Sequence, residues 1–329
     1  MSDTSPSVLI VRLDAIGDAV AAVPLLQALA AKGVVPAVVL GPHSAGVLRA
    51  TAHPIVAAFA QREDSAKNRA AIRRFAGSLR QNRYDCALIA SEDPAAYRLA
   101  RDAGIPTRIG FENGMGKPLK TLWVRAMCTQ TVYRSAGLDP AAPHKCEVLF
   151  KLAAPLLGRT IPSRNAAELR SFLVEGAATP DPRVLMQITD KWQRLGARDD
   201  DVAQLARRIT DLAPARFVGA HTERRAVERF TAQTGIAVET FEDVAPWKEA
   251  IAAAKAVVAP DSGAIHLSGM TGVRTVAVYA APRFELQSAR WAPWASPYRA
   301  IKMTGAWPTA AADALGELLE SGSVHPLSR

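Results

Sequence analysis

The residues best placed to do chemistry lie in Asp261-Ser262-Gly263-Ala264-Ile265-His266, between an apolar run at 256–259 and another at 275–278. The order reads strand, tight turn, helix start, strand. Asp261 or Ser262 can cap the helix by accepting a hydrogen bond from an orphan main-chain N–H. Gly263 permits close approach to the main chain. The free N–H groups and the positive helix end then attract an anion, and His266, within the first turn or so, can add a donor. A nucleotide pyrophosphate suits such a place. A capped helix with a satisfied histidine fits the same residues.

Two further positions follow apolar runs. Asp18 comes just after Gly17, in a loop behind residues 8–11, with no adjacent basic partner in sequence. A carboxylate there can take a proton from a substrate hydroxyl, or it can cap a helix over 19–31. Thr189-Asp190-Lys191-Trp192 ends the run 184–188. A lysine there can pair with phosphate as a point charge or simply face solvent.

The elements that must position these residues follow from the pattern of apolar runs. Buried strands are expected at 8–12, 34–40, 86–90 and 107–110, and again at 184–188, 216–220, 236–238, 256–259 and 275–278. Helices are expected over 19–31, 72–79, 199–212, 223–234, 246–254 and 310–319. Strands alternating with helices of this length imply parallel α/β sheets with crossover helices. The two series meet in a stretch with Pro162, Pro180 and Pro182, so domains of 1–160 and 161–329 are expected. The last helix is free to pack back on the first domain. Ligands of such sheets sit beyond the carboxyl ends of the strands. The loops at Asp18 and Asp261 are therefore expected to face each other across an interdomain cleft.

At 329 residues with 49% hydrophobic and 22% charged residues, the chain reads as an ordinary globular protein of two domains. Cys86, Cys128 and Cys146 have no metal-type spacing, and an odd, sparse set points to a reducing compartment. No signal peptide is expected at the N-terminus, and no apolar run approaches the ~20 residues that span a bilayer. The net charge of +9 is lopsided: residues 1–160 carry 20 Lys and Arg against 12 Asp and Glu, and the remainder 20 against 19. Arg62, Lys67, Arg69, Arg73, Arg74, Arg80 and Arg83 form the densest part. They make either a solvated helix face or a surface for an anion, such as nucleic acid, anionic lipid or a phosphorylated glycan.

Other motifs carry less. No G-x-G-x-x-G follows the first strand. Gly114-Met115-Gly116-Lys117-Pro118 has the wrong spacing for a phosphate loop, and Pro118 stands where the magnesium-binding hydroxyl belongs. Asp199-Asp200-Asp201 falls at a helix start, where acidic residues stabilise the positive end of the dipole. The six histidines are scattered, and no metal site is expected.

The ordered set of motifs resembles glycosyltransferase family 9, the heptosyltransferases of lipopolysaccharide core assembly. It begins with Val8-Leu9-Ile10-Val11-Arg12-Leu13-Asp14-Ala15-Ile16-Gly17-Asp18-Ala19-Val20 and Pro24-Leu25-Leu26. It continues with Arg83-Tyr84-Asp85 and Arg108-Ile109-Gly110-Phe111. It closes with Asp261-Ser262-Gly263, His266 and the turn and strand at 272–279. The resemblance implies a GT-B fold, with an N-terminal acceptor domain and a C-terminal domain for an ADP-activated sugar. It implies inverting, metal-independent transfer of heptose to an anionic lipid-linked glycan, at the cytoplasmic face of the inner membrane. No cofactor beyond the nucleotide sugar is implied, and no nucleic acid.

Carried over by position, Asp18 would be the general base and Lys191 would neutralise the leaving diphosphate. Ser262, Gly263 and His266 would bind phosphates, with Thr189 beside them, and Asp261 would hold the donor sugar. Not by position but by charge, the basic first half, with Arg62, Lys67, Arg69, Arg73 and Arg74, would suit the anionic acceptor. Three places depart from the family pattern. Thr189 supplies one hydroxyl before the lysine where a pair is common. His221 stands where a ribose-binding glutamate is usual, with Glu223 two residues on. Glu242-Asp243-Val244-Ala245-Pro246 replaces a Gly-Lys-Thr/Ser-like loop. All three bear on nucleoside and sugar recognition. Transfer of a different nucleotide sugar, or binding without catalysis, therefore stands as an alternative.

Overall fold

The computed structural model describes residues 6–49, 55–58, 66–135, 143–158, 160–176 and 179–321, with the backbone alone described at 55–58 and 66–68. The chain divides into two units, Met1–Ser163 and Arg164–Arg329. Each is a six-stranded, wholly parallel sheet with crossover helices.

In the first unit the strands are β1 (Val8–Arg12), β2 (Ala37–Leu40), β3 (Ile55–Ala58), β4 (Cys86–Ile89), β5 (Thr107–Glu112) and β6 (Gln130–Tyr133). Their order is β3-β2-β1-β4-β5-β6. The run of β1 is buried throughout, as a central strand covered on both faces requires. Pro36 precedes β2, and pairing with β1 starts at Ala37 rather than at residue 34. Proline cannot donate to a ladder, and Val35 is left exposed. The single helix expected over 19–31 is two: Ile16–Val20 and Val23–Ala31, the second opened by Pro24 in its first turn.

The second unit holds β7 (Asp181–Gln187), β8 (Ala215–Ala220), β9 (Glu239–Phe241), β10 (Ala254–Pro260), β11 (Arg274–Ala280) and β12 (Tyr298–Met303), in the order β12-β11-β10-β7-β8-β9. Counted within each unit, the two orders are the same, 3-2-1-4-5-6. The strand expected at 236–238 lies three residues later. Ile236 and Val238 pack against the core, and pairing with β8 begins at Glu239.

The core of the second unit gathers Val184, Met186, Val258 and Val278 with Trp192 and Trp307, whose rings stack at 5.5 Å. The last helix, Trp307–Glu320, places Ala311, Leu315 and Leu318 in this core. Its apolar face therefore packs within the second unit. The helix Gly263–Thr271 packs with its main chain close to the following loop. A Cβ at Gly269 would lie 2.6 Å from Pro293 Cα, so only glycine fits there.

Candidate active site

Both sheets reverse strand order at one point, between β1 and β4 and between β7 and β10. In open α/β sheets, ligands bind outside the carboxyl ends of the strands at such a point. Asp18, near the end of β1, and Thr189, Lys191, Asp261 and Ser262, after β7 and β10, lie at these two places.

In the second unit, Thr189 and Lys191 follow β7, Glu223 follows β8, and Asp261 and Ser262 follow β10. The Thr189 hydroxyl donates to Glu223 Oε1 at 2.5 Å and accepts from the main-chain N–H of Lys191 at 3.2 Å. Burial pushes the Asp261 carboxyl above its ordinary range, and the charge of Lys191 opposes part of that rise. Lys191 therefore lies in the electrostatic reach of Asp261. Ser262 caps the helix Gly263–Thr271, its Oγ accepting from Ala264 N at 3.3 Å and donating to Gln187 Oε1 at 2.6 Å. The His266 ring stands 5.2 Å from that of Trp291. A lysine and a capped helix start side by side can hold a diphosphate and take up charge as it departs.

His221 opens a short turn, His221–Glu223, and is exposed; among the described residues no hydrogen bond or ion pair joins it to this group. Glu223, two residues on, is the acidic group that reaches Thr189.

In the first unit, Asp18 lies inside the helix Ile16–Val20, not in a loop, and its side chain makes no cap hydrogen bond. It has a strong partner instead. Arg12, at the end of β1 and 1% exposed, donates from Nε to the Asp18 carbonyl at 2.9 Å and pairs through Nη2 with Asp18 Oδ1. The same guanidinium bonds the Ala90 carbonyl beyond β4 and lies 3.2 Å from Asp14 Oδ2. Arg12 thus bridges the point where the strand order reverses and fixes the Asp18 carboxylate there. Oδ2 of Asp18 has no hydrogen-bond partner among the described residues, so one oxygen is left to accept a proton.

A cluster invisible in the sequence adjoins this pair. Glu92, just past β4, lies 2.7 Å from Arg134, 3.7 Å from Lys145 and 3.8 Å from Lys120. Burial alone would raise Glu92, but Arg134, Lys145 and Lys120 outweigh it and hold the carboxyl at about 2. Burial, with Arg12 and Arg134 nearby, lowers Lys145 to about 8, against the pull of Asp18 and Glu92. These contacts span up to 53 residues of sequence, and no local motif signals them.

Among the described residues, no hydrogen bond or ion pair seen for the basic run joins it to this group. Arg62 is outside the described residues. Lys67, Arg69, Arg73 and Arg74 belong to the helix Ala66–Arg80, whose Ile72, Ala76 and Leu79 enter the core. Arg69, Arg73 and Arg74 are on its exposed side. Among the described residues no group of three His, Cys, Asp or Glu side chains could hold a metal ion.

The two repeated Rossmann-like halves and the residues at their reversal points define a class of fold, the GT-B type. Solved structures of that shape cover nearly the whole chain. A glycosyl transferase family 9 protein from Veillonella parvula superposes with a TM-score of 0.72 at 15% identity, covering 98% of this chain and 99% of the other. The ADP-heptose lps heptosyltransferase II of E. coli gives 0.68 at 19% identity, covering 95% and 98%. The E. coli heptosyltransferase WaaC with ADP gives 0.70 at 17%, covering 95% and 99%. At these identities the likeness is one of fold. No protein-family model and no curated protein sequence matches the chain.

Proposed function

We propose that this protein is a glycosyltransferase that moves a sugar, heptose from ADP-heptose in the first instance, onto an anionic glycan of the lipopolysaccharide-core kind. The observation that carries this reading is the group Lys191, Asp261 and Ser262 at the reversal point of the second sheet. It offers a cation, a carboxylate for sugar hydroxyls and a helix N-terminus in one place. The Veillonella neighbour is named for glycosyl transfer and the two E. coli neighbours for heptosyl transfer, one of them solved with ADP.

In this reading Asp18 Oδ2 accepts the proton of the acceptor hydroxyl as that oxygen attacks the anomeric carbon. The bond from that carbon to the nucleotide diphosphate breaks on the opposite side, so configuration inverts. Lys191 and the N–H groups after Ser262 take up the charge of the departing diphosphate, the task a divalent cation has in other transferases. Thr189 and Glu223 contact the nucleotide side of the donor, with His221 free to approach the ribose. The excess basic charge of the first unit draws the anionic acceptor, and the work takes place at the cytoplasmic face of a membrane.

The test is incubation of the purified protein with ADP-heptose and a deacylated core acceptor in the presence of EDTA. Release of ADP matched by glycosylated acceptor, with an inverted anomeric centre by NMR, is the expected result. Transfer only from a different nucleotide sugar would keep the reaction and replace the donor. Tight nucleotide-sugar binding with no turnover of any donor would reduce the protein to a binding module.

A further inference from the structure

The stretch Gly114-Met115-Gly116-Lys117-Pro118, set aside above as a phosphate loop, has a different physical character in the fold. It forms a tight turn after β5 and leads into the helix Pro118–Met127 at the edge of the first sheet. That helix buries Thr121 and Val124. Its opposite side should be polar, and it is not. Met115 is 89% exposed, Leu119 82% and Leu122 64%. Leu119 and Leu122 are three apart and share a face. Tyr133, 63% exposed on edge strand β6, borders the same turn, since a Cβ on Gly114 would lie 3.2 Å from its ring.

The charge around this patch is basic in excess: Lys120 and Arg134 share Glu92, Arg125 pairs with Glu112, and Lys117 is left over. From Asn113 to Ser135 there are four basic residues, Lys117, Lys120, Arg125 and Arg134, and no acidic one. Lys117 is exposed and makes no ion pair among the described residues. Large apolar side chains gathered on a surface mark an interaction site. Apolar side chains with basic neighbours fit one kind of partner in particular, the headgroup and upper acyl region of an anionic bilayer.

We infer that Met115, Leu119 and Leu122 insert into an anionic membrane surface, with Lys117 beside them meeting the lipid headgroups. The surface is distinct from the basic helix Ala66–Arg80, and it adjoins the polar cluster near Asp18 through the 3.8 Å contact of Lys120 with Glu92. A bilayer held here presents a lipid-linked substrate close to the carboxyl ends of β1 and β4. The membrane contact itself does not depend on which sugar is transferred, or on transfer at all.

Co-sedimentation of the full chain with phosphatidylglycerol–phosphatidylethanolamine vesicles, without donor or acceptor, tests it. The wild type should bind these and not phosphatidylcholine vesicles. M115S/L119S/L122S should weaken binding at least about tenfold, given the apolar area lost. K117Q should weaken it about fivefold at low salt. The substituted residues are exposed, so an unchanged thermal melt should accompany the loss. A polarity-sensitive dye on L119C should shift to the blue on anionic vesicles, a readout that does not require the triple variant to fold. Wild-type vesicle binding by the triple variant, or no shift of the dye, would overturn the inference. So would a wild-type dimer in sedimentation velocity that the triple variant abolishes, since the patch would then join two copies of the chain.

Discussion

Arg12 and Asp18 are joined twice, from Nε to the Asp18 main-chain carbonyl and from Nη2 to its carboxylate, and the arginine is buried. An aspartate tethered at both its backbone and its side chain is a pre-oriented group, held with one oxygen engaged and one available. That arrangement suits a base whose task is to meet a hydroxyl at a fixed angle.

Asp18→Asn should keep the shape of the site and remove the base. Turnover should fall by about 10²–10⁴-fold, with donor affinity nearly unchanged, because the base acts on the acceptor proton. Steady-state kinetics with calorimetry of donor binding measure both. Wild-type turnover in the Asn variant would leave Asp18 a purely structural partner of Arg12.

Arg12→Met should cost about 3 kcal/mol of stability, since it leaves the Asp18 and Asp14 carboxylates and the Ala90 carbonyl without their cation. Urea unfolding reads the loss. A cost within the range of an ordinary surface substitution would show that the carboxylates find water instead.

Lys191→Ala should weaken nucleotide diphosphate binding about ten- to hundredfold, the loss of one charge-assisted contact, and should slow transfer as well. Isothermal calorimetry with ADP is the direct measurement. Equal affinity in the variant and an equal rate would place Lys191 away from the leaving group.

Lys145 gives the fold a pH signature. Its ordinary value is 10.5 and burial, with Arg12 and Arg134, lowers it to about 8 in the folded chain. Between those values the unfolded chain carries the proton and the folded chain does not, so this group's contribution to stability rises with pH across that window. The ceiling is about 3 kcal/mol. Unfolding free energies of wild type and Lys145→Met, compared at pH 8 and 10.5, should diverge in favour of the wild type. Glu92 acts in the other range. Its stabilisation is complete above 4.5 and is lost as pH falls toward 2.

Arg69, Arg73 and Arg74 replaced together by Gln should raise the acceptor KM about three- to tenfold at low salt and hardly at all at high salt, where exposed charges are screened. Vesicle binding should persist, because the proposed insertion surface lies elsewhere. An unchanged KM at low salt would make the helix Ala66–Arg80 a solvated face and nothing more.

Much of the sheet framework was legible because its central strands are continuous apolar runs. Residues 8–12, 86–89, 184–187 and 256–259 are strand in the structure as the pattern required. Two of the edge strands were not seen. Gln130-Thr131-Val132-Tyr133 and Tyr298-Arg299-Ala300-Ile301-Lys302-Met303 mix polar and apolar residues, since one side of an edge strand needs little burial. The strand ends at Asp18, Lys191 and Asp261 could be picked out because each follows a buried run. The partner of Asp18 was missed, although a clue existed. Arg12 closes a wholly buried strand, and an arginine so placed demands a carboxylate nearby. Glu92, Arg134 and Lys145 left no trace, because only the sheet order brings them together.

The glycine at 269 has a reach longer than its size. Any side chain there must push on Pro293, and Trp291, whose ring faces His266, stands two residues before that proline. The far turn of the helix and His266 in its first turn thus both touch the one loop, 291–294. Changes at position 269 or along 291–294 would be felt at His266, in the first turn of the helix. Substitutions there have a route to His266 that leaves Lys191, Asp261 and Ser262 untouched.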